Sequence, residues 1–197
     1  MPEQAIKILV GLGNPGPEHH NTRHNAGFWF IDWIAQQNNC HLSLETKFHG
    51  YYGQLHLDGL QLKLLKPLTY VNRSGQAVAA CALYFKLLPS QILVIHDELD
   101  LPPGQVRLKL GGGHAGHNGL RDITQALGTA EFWRIRIGIG HPGDRKRVVD
   151  YVLGCPESDQ IYAIDNALER IALQLPKIIT GQFDQVMNQL HKAVVLN

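Results

Sequence analysis

The chain has 197 residues, 44% of them hydrophobic and only 18% charged, a composition that excludes intrinsic disorder and suits one sizeable core. With a formal net charge of +1, any anionic partner must be met by a local patch and not by the field of the whole molecule. The opening Met1-Pro2-Glu3-Gln4 carries no basic segment ahead of an apolar core, the apolar runs are too short to span a bilayer, and Cys40, Cys81 and Cys155 form no Cys-x-x-Cys. These features predict a cytoplasmic protein with reduced thiols, no secretory signal and no membrane association.

Residues 6–12 predict a short buried strand, and the polar, Gly/Pro-rich residues 13–25 a loop. A helix is expected over 26–37, with Phe30, Ile31 and Ile34 inward and Asn25 as its N-cap. Residues 50–57 and 60–66 read as a hairpin turned by Asp58-Gly59, since both positions tolerate positive φ. A helix over 72–86 and a central strand over 92–96 follow, the latter apolar without alternation. Val106, Leu108 and Leu110 alternate with Arg107 and Lys109, and Ile135, Ile137 and Ile139 alternate with Arg134 and Arg136. Both segments are expected as half-buried strands with cations on one face. Between them lie a glycine-rich run, 111–119, and a helix from about 118 to 127. Ile161, Ile164, Leu168, Ile171 and Leu175 have helical spacing that Pro176 should end, and Phe183, Val186, Met187, Leu190 and Val194 predict a last amphipathic helix. With no repeat or linker, the reading is one α/β domain over 1–197, a twisted, mixed and partly parallel sheet flanked by helices.

Gly11-Leu12-Gly13-Asn14-Pro15-Gly16 has the spacing of a dinucleotide-binding turn, with Asp32 at about the distance of a ribose contact. That fingerprint needs its last glycine in an opening helix, and Pro17-Glu18-His19-His20-Asn21 has no apolar helical face. The better reading is a turn that fixes Asn14 at the carboxyl end of a central strand. Asn21-Thr22-Arg23-His24-Asn25-Ala26-Gly27 and His96-Asp97-Glu98-Leu99-Asp100 are polar stretches that a packed core does not demand. An imidazole held by a carboxylate is a general base near neutral pH. A helix N-terminus disfavours the imidazolium of His24 by roughly 0.3–1 kcal/mol. A carboxylate near 4 Å favours it by about 4 kcal/mol at an effective dielectric of 20, before desolvation, so the acid should win. Asp97 is nearest the strand end; Glu98 and Asp100 are its rivals.

Asn72 and Asn118 read on spacing as helix N-caps, or else as donors to a developing oxyanion. His114 and His117 have only a weak metal spacing, without a third ligand or a Cys cluster, and no phosphate-cradling G-x-x-x-x-G-K-[ST] occurs. Arg107, Lys109, Arg134, Arg136, Arg145, Lys146 and Arg147 make a cationic stripe plausible for phosphate binding with little sequence preference. The chemistry expected is hydrolysis by activated water without a cofactor.

These residues carry a resemblance. Gly11-Leu12-Gly13-Asn14-Pro15-Gly16, Thr22-Arg23-His24-Asn25-Ala26-Gly27, His96-Asp97-Glu98-Leu99-Asp100-Leu101-Pro102, Gly111-Gly112-Gly113-His114 with Gly116-His117-Asn118-Gly119-Leu120, and Arg136-Ile137-Gly138-Ile139-Gly140-His141-Pro142 stand in the order of the signatures of bacterial-type peptidyl-tRNA hydrolases, which the chain resembles over nearly its whole length. The resemblance implies hydrolysis of the ester joining a peptide to the 3′ end of tRNA, which recycles prematurely released peptidyl-tRNA. It implies His24 as the base that activates water, Asp97 as the group stabilising its working form, and Asn14 in telling N-blocked from free aminoacyl groups. Asn72 and Asn118 are implied as substrate contacts, with Tyr70 on the same edge, and Lys109 and Arg136 as cations holding the acceptor end; the implied partner is peptidyl-tRNA, met at its acceptor end and 3′ CCA. A cytoplasmic monomer without metal, cofactor or obligate protein partner is implied. His19 stands where the family commonly has an aromatic, usually Tyr, and Val71 where it has Met; both bear on substrate contacts more than on the catalytic step.

Two other readings stay open on sequence: a metal-dependent hydrolase using His114 and His117, and an RNA-binding domain without turnover. A dinucleotide oxidoreductase is a poor third.

Overall fold

The computed structural model describes residues 5–57 and 59–192. Among them, seven strands form one sheet. In chain order they are β1 (Ile8–Gly11), β2 (Ser43–Glu45), β3 (Gly50–Leu57), β4 (Leu60–Pro67), β5 (Ile92–Glu98), β6 (Val106–Leu110) and β7 (Trp133–Gly138); side by side they run β2-β3-β4-β1-β5-β7-β6. The pairs β1–β4, β1–β5 and β5–β7 are parallel, and β2–β3, β3–β4 and β6–β7 antiparallel. This is the mixed, partly parallel α/β sheet expected. β1 and β5 are buried along their whole length, which is why their sequences run apolar without alternation.

The helices are α1 (Ala26–Gln37), α2 (Ser74–Phe85), α3 (Asn118–Leu127), α4 (Val148–Val152), α5 (Ser158–Leu173), α6 (Leu175–Ile179) and α7 (Phe183–Leu190). One sheet face, through Leu9, Leu93, Ile95, Ile135 and Ile137, packs on α1, α5, α6 and α7. The other, through Ile8, Val10, Ile92 and Val94, packs on α2 and α3. Phe30, Ile31 and Ile34 on the inner side of α1 are almost fully buried, each stabilising by roughly 1.5–3 kcal/mol. No residue of β6 or β7 belongs to the second cluster, so the α2–α3 layer stops short of that end of the sheet.

Several local expectations are corrected. Asn25 does not cap α1: its side chain turns back to Asn14. The segment expected as one helix from Asn72 begins as a 3-10 turn, Val71–Arg73, and α2 starts at Ser74. Asn118 is not a cap either, since the side chain of His117 takes that place. Pro176 does not end the long helix. The chain bends at Gln174, and Pro176 sits in the first turn of α6, where a missing N–H costs nothing. β7 is not half-buried: Arg134 on its polar face is only 2% exposed. Of the hairpin turn, Asp58 lies outside the described residues; Gly59 has φ +77°. Val194 also lies outside them. β2 and α4 carry too little periodicity to be predicted.

Candidate active site

β1, β4, β5 and β7 run parallel, so their carboxyl ends share one edge of the sheet, where open α/β sheets place their sites. The segments leaving those ends supply Asn14 after β1, Tyr70 and Asn72 after β4, and His141 after β7, while Asp97 lies in the last turn-facing residues of β5. Together with His24, His117 and Asn118 they line a cleft of about 1050 Å³.

His24 reaches the edge because α1 is pressed onto it. A Cβ on Gly27 would lie 2.3 Å from the Ile95 carbonyl oxygen and 2.4 Å from the Leu12 nitrogen, so only glycine lets the first turn of α1 approach so closely. The turn Arg23–Asn25 just before it then places the His24 Nδ1 2.9 Å from both Asp97 carboxylate oxygens. Burial alone would lower the His24 pKa; the charge of Asp97 and its hydrogen bond outweigh burial and raise it above the ordinary histidine value. The carboxylate wins, as expected, but the opponent it overcomes is burial and not the helix end. With Nδ1–H donated to Asp97, Nε2 is the basic nitrogen of the neutral ring. Glu98 and Asp100 are not the partners. Glu98 receives the Arg136 Nε–H at 2.8 Å and the Asp100 backbone N–H at 3.1 Å.

Asp97 has a second histidine that sequence reasoning missed. The His117 Nε2 lies 3.2 Å from Asp97 Oδ1. The His117 Nδ1 accepts the backbone N–H groups of Gly119 and Leu120 at 3.1 and 3.4 Å, capping α3. An acceptor Nδ1 fixes the tautomer, so the neutral ring carries its proton on Nε2 and donates it to Asp97. Burial would raise the carboxyl pKa of Asp97, but His24, together with the two histidine hydrogen bonds, holds it far below the usual carboxylate range. The one clue in the sequence was position: His117 directly precedes the first residue of a predicted helix, but the cap preference for Asn drew the reading to Asn118.

His96 packs against His117, with ring centroids 5.0 Å apart. It donates Nδ1–H to the Asp97 backbone carbonyl at 2.7 Å, and its buried Nε2 has no partner among the described residues. Burial, with His117 and Arg134 nearby, pushes its pKa down to about 3, so it stays neutral.

Asn14 is locked by Asn25 in a reciprocal pair, its N–H on Asn25 Oδ1 at 2.8 Å and its carbonyl on Asn25 Nδ2 at 3.0 Å. Its own Oδ1 accepts the Val71 N–H at 2.9 Å, which leaves the Nδ2 amide as the donor it can offer the cleft. Asn72 and Asn118 are exposed in the cleft wall, their side chains free of capping. Tyr70 lines the cleft; His19 lies behind it, ring centroids 6.4 Å apart, edge to face.

Lys109 and Arg136 are not in the cleft. β6–β7 register sets Lys109 opposite Arg134 and Arg136 opposite Arg107, so all four leave the backbone on the sheet face that α2 and α3 leave open, although the Arg107 guanidinium donates to the His191 carbonyl at 2.8 Å, at the end of α7. Lys109 lies level with Val94, three residues down the sheet from Asp97 and two strands across, roughly 10 Å in each direction. Arg134 leaves the expected cationic stripe: it is buried and donates to the carbonyls of Gly112 and Gly113 at 2.9 and 2.8 Å, anchoring the glycine-rich run.

His24, Asp97 and His117 form the one metal-compatible cluster among the described residues, their ligand atoms within 4.8 Å of one another. The donor set fits a cation badly. Coordination through His117 Nε2 would put the ring proton on Nδ1, against the two N–H groups that Nδ1 now accepts. His114 does not join this cluster, and its Nδ1 accepts the Gly116 N–H at 3.2 Å. What the arrangement can do is take a proton from water at His24 Nε2, hold the resulting imidazolium against Asp97, and offer amide N–H groups to a carbonyl oxygen.

A model of the peptidyl-tRNA hydrolase family matches residues 8–196. The chain is 54% identical over 189 residues to a peptidyl-tRNA hydrolase of Methylobacillus flagellatus, covering 95% of this chain and 97% of that protein. It is 51% identical over 193 residues to one of Bordetella avium, covering 96% and 93%. The crystal structure of a peptidyl-tRNA hydrolase from Acinetobacter baumannii superposes with a TM-score of 0.92 at 46% identity over 95% of both chains. A complex of a peptidyl-tRNA hydrolase with N-propanol gives 0.94 at 44% identity over 97% of both.

Proposed function

From the premise that the chain belongs to the bacterial-type peptidyl-tRNA hydrolase family, enzymes that hydrolyse peptidyl-tRNA, we propose that His24 is the base of this hydrolysis and Asp97 the group that sustains it. The carrying observation is the 2.9 Å contact between His24 Nδ1 and the Asp97 carboxylate, made by residues 73 positions apart. His24 Nε2 takes a proton from water. The hydroxide attacks the ester carbonyl carbon, and the negative oxygen of the tetrahedral intermediate meets amide N–H groups of Asn14, Asn72 and Asn118. As the carbonyl re-forms, the C–O bond to the ribose 3′ oxygen breaks and the imidazolium returns its proton to that oxygen. Asp97 stabilises the imidazolium throughout, and His117 holds Asp97 from its other side.

An ester with an alkoxide-type leaving group needs no metal for this sequence, and the chain uses no cofactor in it. A pocket of neutral amides suits an N-blocked acyl group, whereas a free ammonium would want a carboxylate, so Asn14 serves in that discrimination. Tyr70 and His19 flank the terminal nucleotides; the His19 imidazole stacks more weakly than a tyrosine ring would. Lys109 and Arg136 hold phosphates of the acceptor stem, their distance from Asp97 suiting a duplex leading away from the 3′ end. The enzyme acts as a monomer in the cytoplasm. Among the described residues, no helix is long and apolar enough to cross a membrane.

Replacing His24 with Ala tests the assignment. Hydrolysis of N-acetyl-aminoacyl-tRNA should fall by about 10²–10⁴ while binding of uncharged tRNA stays within twofold. Turnover near the parent level would reject His24 as the base.

A further inference from the structure

Beside His24, Arg23 is a buried cation, 6% exposed, with no carboxylate within ion-pair distance among the described residues. Its Nη2–H donates to Gln160 Oε1 at 2.9 Å, its Nη1–H to the Tyr151 carbonyl at 3.2 Å, and its guanidinium carbon lies 4.1 Å from the Tyr151 ring centroid. Its Nε is buried without a partner among the described residues. A charge so placed is a costly way to fill space. What it does that an apolar side chain cannot is bond to two other elements in one fixed plane.

Those bonds close a circuit. The Arg23 backbone N–H also donates to the Gly154 carbonyl at 3.0 Å, tying the His24 turn to the end of α4. Tyr151, on α4, donates its hydroxyl to the Ile139 carbonyl at 2.7 Å. The Ile139 N–H in turn donates to the Glu98 carbonyl at 3.0 Å, one residue beyond Asp97. So His24 and Asp97 meet twice: once directly, and once around the outside through Arg23, Tyr151, Ile139 and Glu98. α4 is also a wall of the cleft, through Val148, Val149 and Val152.

We propose that Arg23 and Tyr151 are positioning residues for the hydrolysis, an outer strap that holds the His24 turn, the α4 wall and the strand end bearing Asp97 in fixed mutual register. The inference rests on the reading of His24 and Asp97 as the working pair. A guanidinium is needed because the strap uses both Nη groups and the flat face together. Lysine supplies one point charge and no plane.

The test compares Arg23→Met, Arg23→Lys and Tyr151→Phe in the full chain, with His24→Ala alongside. Tyr151→Phe keeps the ring under Arg23 and removes only the bond to Ile139, so it serves should Arg23→Met fold poorly. For each, kcat and KM with N-acetyl-aminoacyl-tRNA are measured against pH, with thermal unfolding as the control for structure. The strap predicts kcat lowered about tenfold or more in both Arg23 variants and severalfold in Tyr151→Phe, with KM within twofold. It also predicts the acid limb of the profile shifted to lower pH, because a loosened Asp97 no longer offsets the burial of His24. Parent kcat and an unshifted acid limb in Arg23→Met and Tyr151→Phe, or losses matching only the fraction unfolded, would overturn it. If His24→Ala retains turnover, the reading of the pair fails instead; if His24→Ala is inactive and the strap variants behave as the parent, the strap alone fails.

Discussion

At the carboxyl ends of β1 and β5 the polar side chains are buried and committed to one another. On the open face of β6 and β7, Lys109 and Arg136 share no partner with one another among the described residues. Asp97 receives His24 on one side and His117 on the other, and His117 is itself fixed by the N-terminus of α3. Lys109, by contrast, is exposed, and Arg136 touches one acid, Glu98. In the first region Asp97 raises the His24 pKa and its histidine partners hold Asp97 ionised, so a change there alters chemistry and its pH dependence. In the second each cation acts through its own charge, so a change alters binding and its salt dependence.

Asp97→Asn gives the largest break in that contrast. An asparagine keeps the shape but cannot favour the imidazolium, and it can present its amide N–H to His24 Nδ1, imposing the wrong tautomer. We expect kcat to fall by about 10³–10⁴. The parent acid limb of kcat/KM should lie above the ordinary histidine value, because the base must be neutral to act and Asp97 raises its pKa. In the variant the limb should move down, since burial then acts unopposed. A pH–rate profile of kcat/KM for both proteins checks this; an unmoved limb would separate Asp97 from the titration of His24.

His96 sharpens the comparison through stability. Its folded pKa of about 3 lies well below that of an unfolded histidine near 6.5, so the unfolded chain binds a proton first. Its neutral burial therefore contributes stability that is fully present above pH 6.5 and is lost progressively as pH falls toward 3. Asp97 acts in the same sense at lower pH, below the ordinary carboxylate range. His24 acts oppositely: its raised pKa contributes stability below 6.5 that is lost as pH rises through the folded value. Denaturant unfolding between pH 7 and 4 should show a fall in stability that His96→Gln largely removes. An unchanged slope in that variant would place the acid sensitivity elsewhere.

His117→Ala removes two things at once, the second donor on Asp97 and the cap of α3. We expect kcat down about tenfold, and a stability loss of about 1 kcal/mol for the cap, roughly 2–4 °C in Tm for a domain of this size. His117→Asn separates them. It can restore the cap without reaching Asp97, so Tm should recover while kcat does not.

Which of these features could be read beforehand follows from their range. The strands β1, β3, β4 and β5 and the helices α1 and α3 lie where periodicity put them, because burial on one or both faces imprints a local pattern. The pairing of His24 with Asp97 was legible from two polar stretches at element ends, and the family resemblance gave their order. The roles of Asn25 and His117 were not. Both stand where a cap is expected by local rules, and which residue caps is decided by a partner far away in sequence: Asn14 draws Asn25 off α1, and His117 displaces Asn118 by serving Asp97 as well. Arg134 shows the same limit. Alternation set it correctly on the face of Lys109 and Arg136, but only the folded glycine-rich run supplies the carbonyls that bury it.

The smallest effects test the open face. Lys109→Ala should leave kcat unchanged at saturation, raise the Kd for tRNA a fewfold, and reduce the slope of log K against log salt by roughly 0.7–0.9, the loss of one phosphate contact. Arg136→Ala should reduce the slope similarly but also cost stability. It leaves the carboxylate of Glu98, only 8% exposed, with just the Asp100 N–H among its described partners, a loss of about 1–3 kcal/mol. Arg134→Lys is the discriminating control. Its side chain is spent on the Gly112 and Gly113 carbonyls, so it should lower stability and leave the salt slope untouched. Filter binding of uncharged tRNA across a salt series measures all three. A slope that falls as much for Arg134→Lys as for Lys109→Ala would mean that the buried cation contributes to the field as the exposed ones do, and the division between a bonded interior and an independent charged face would fail.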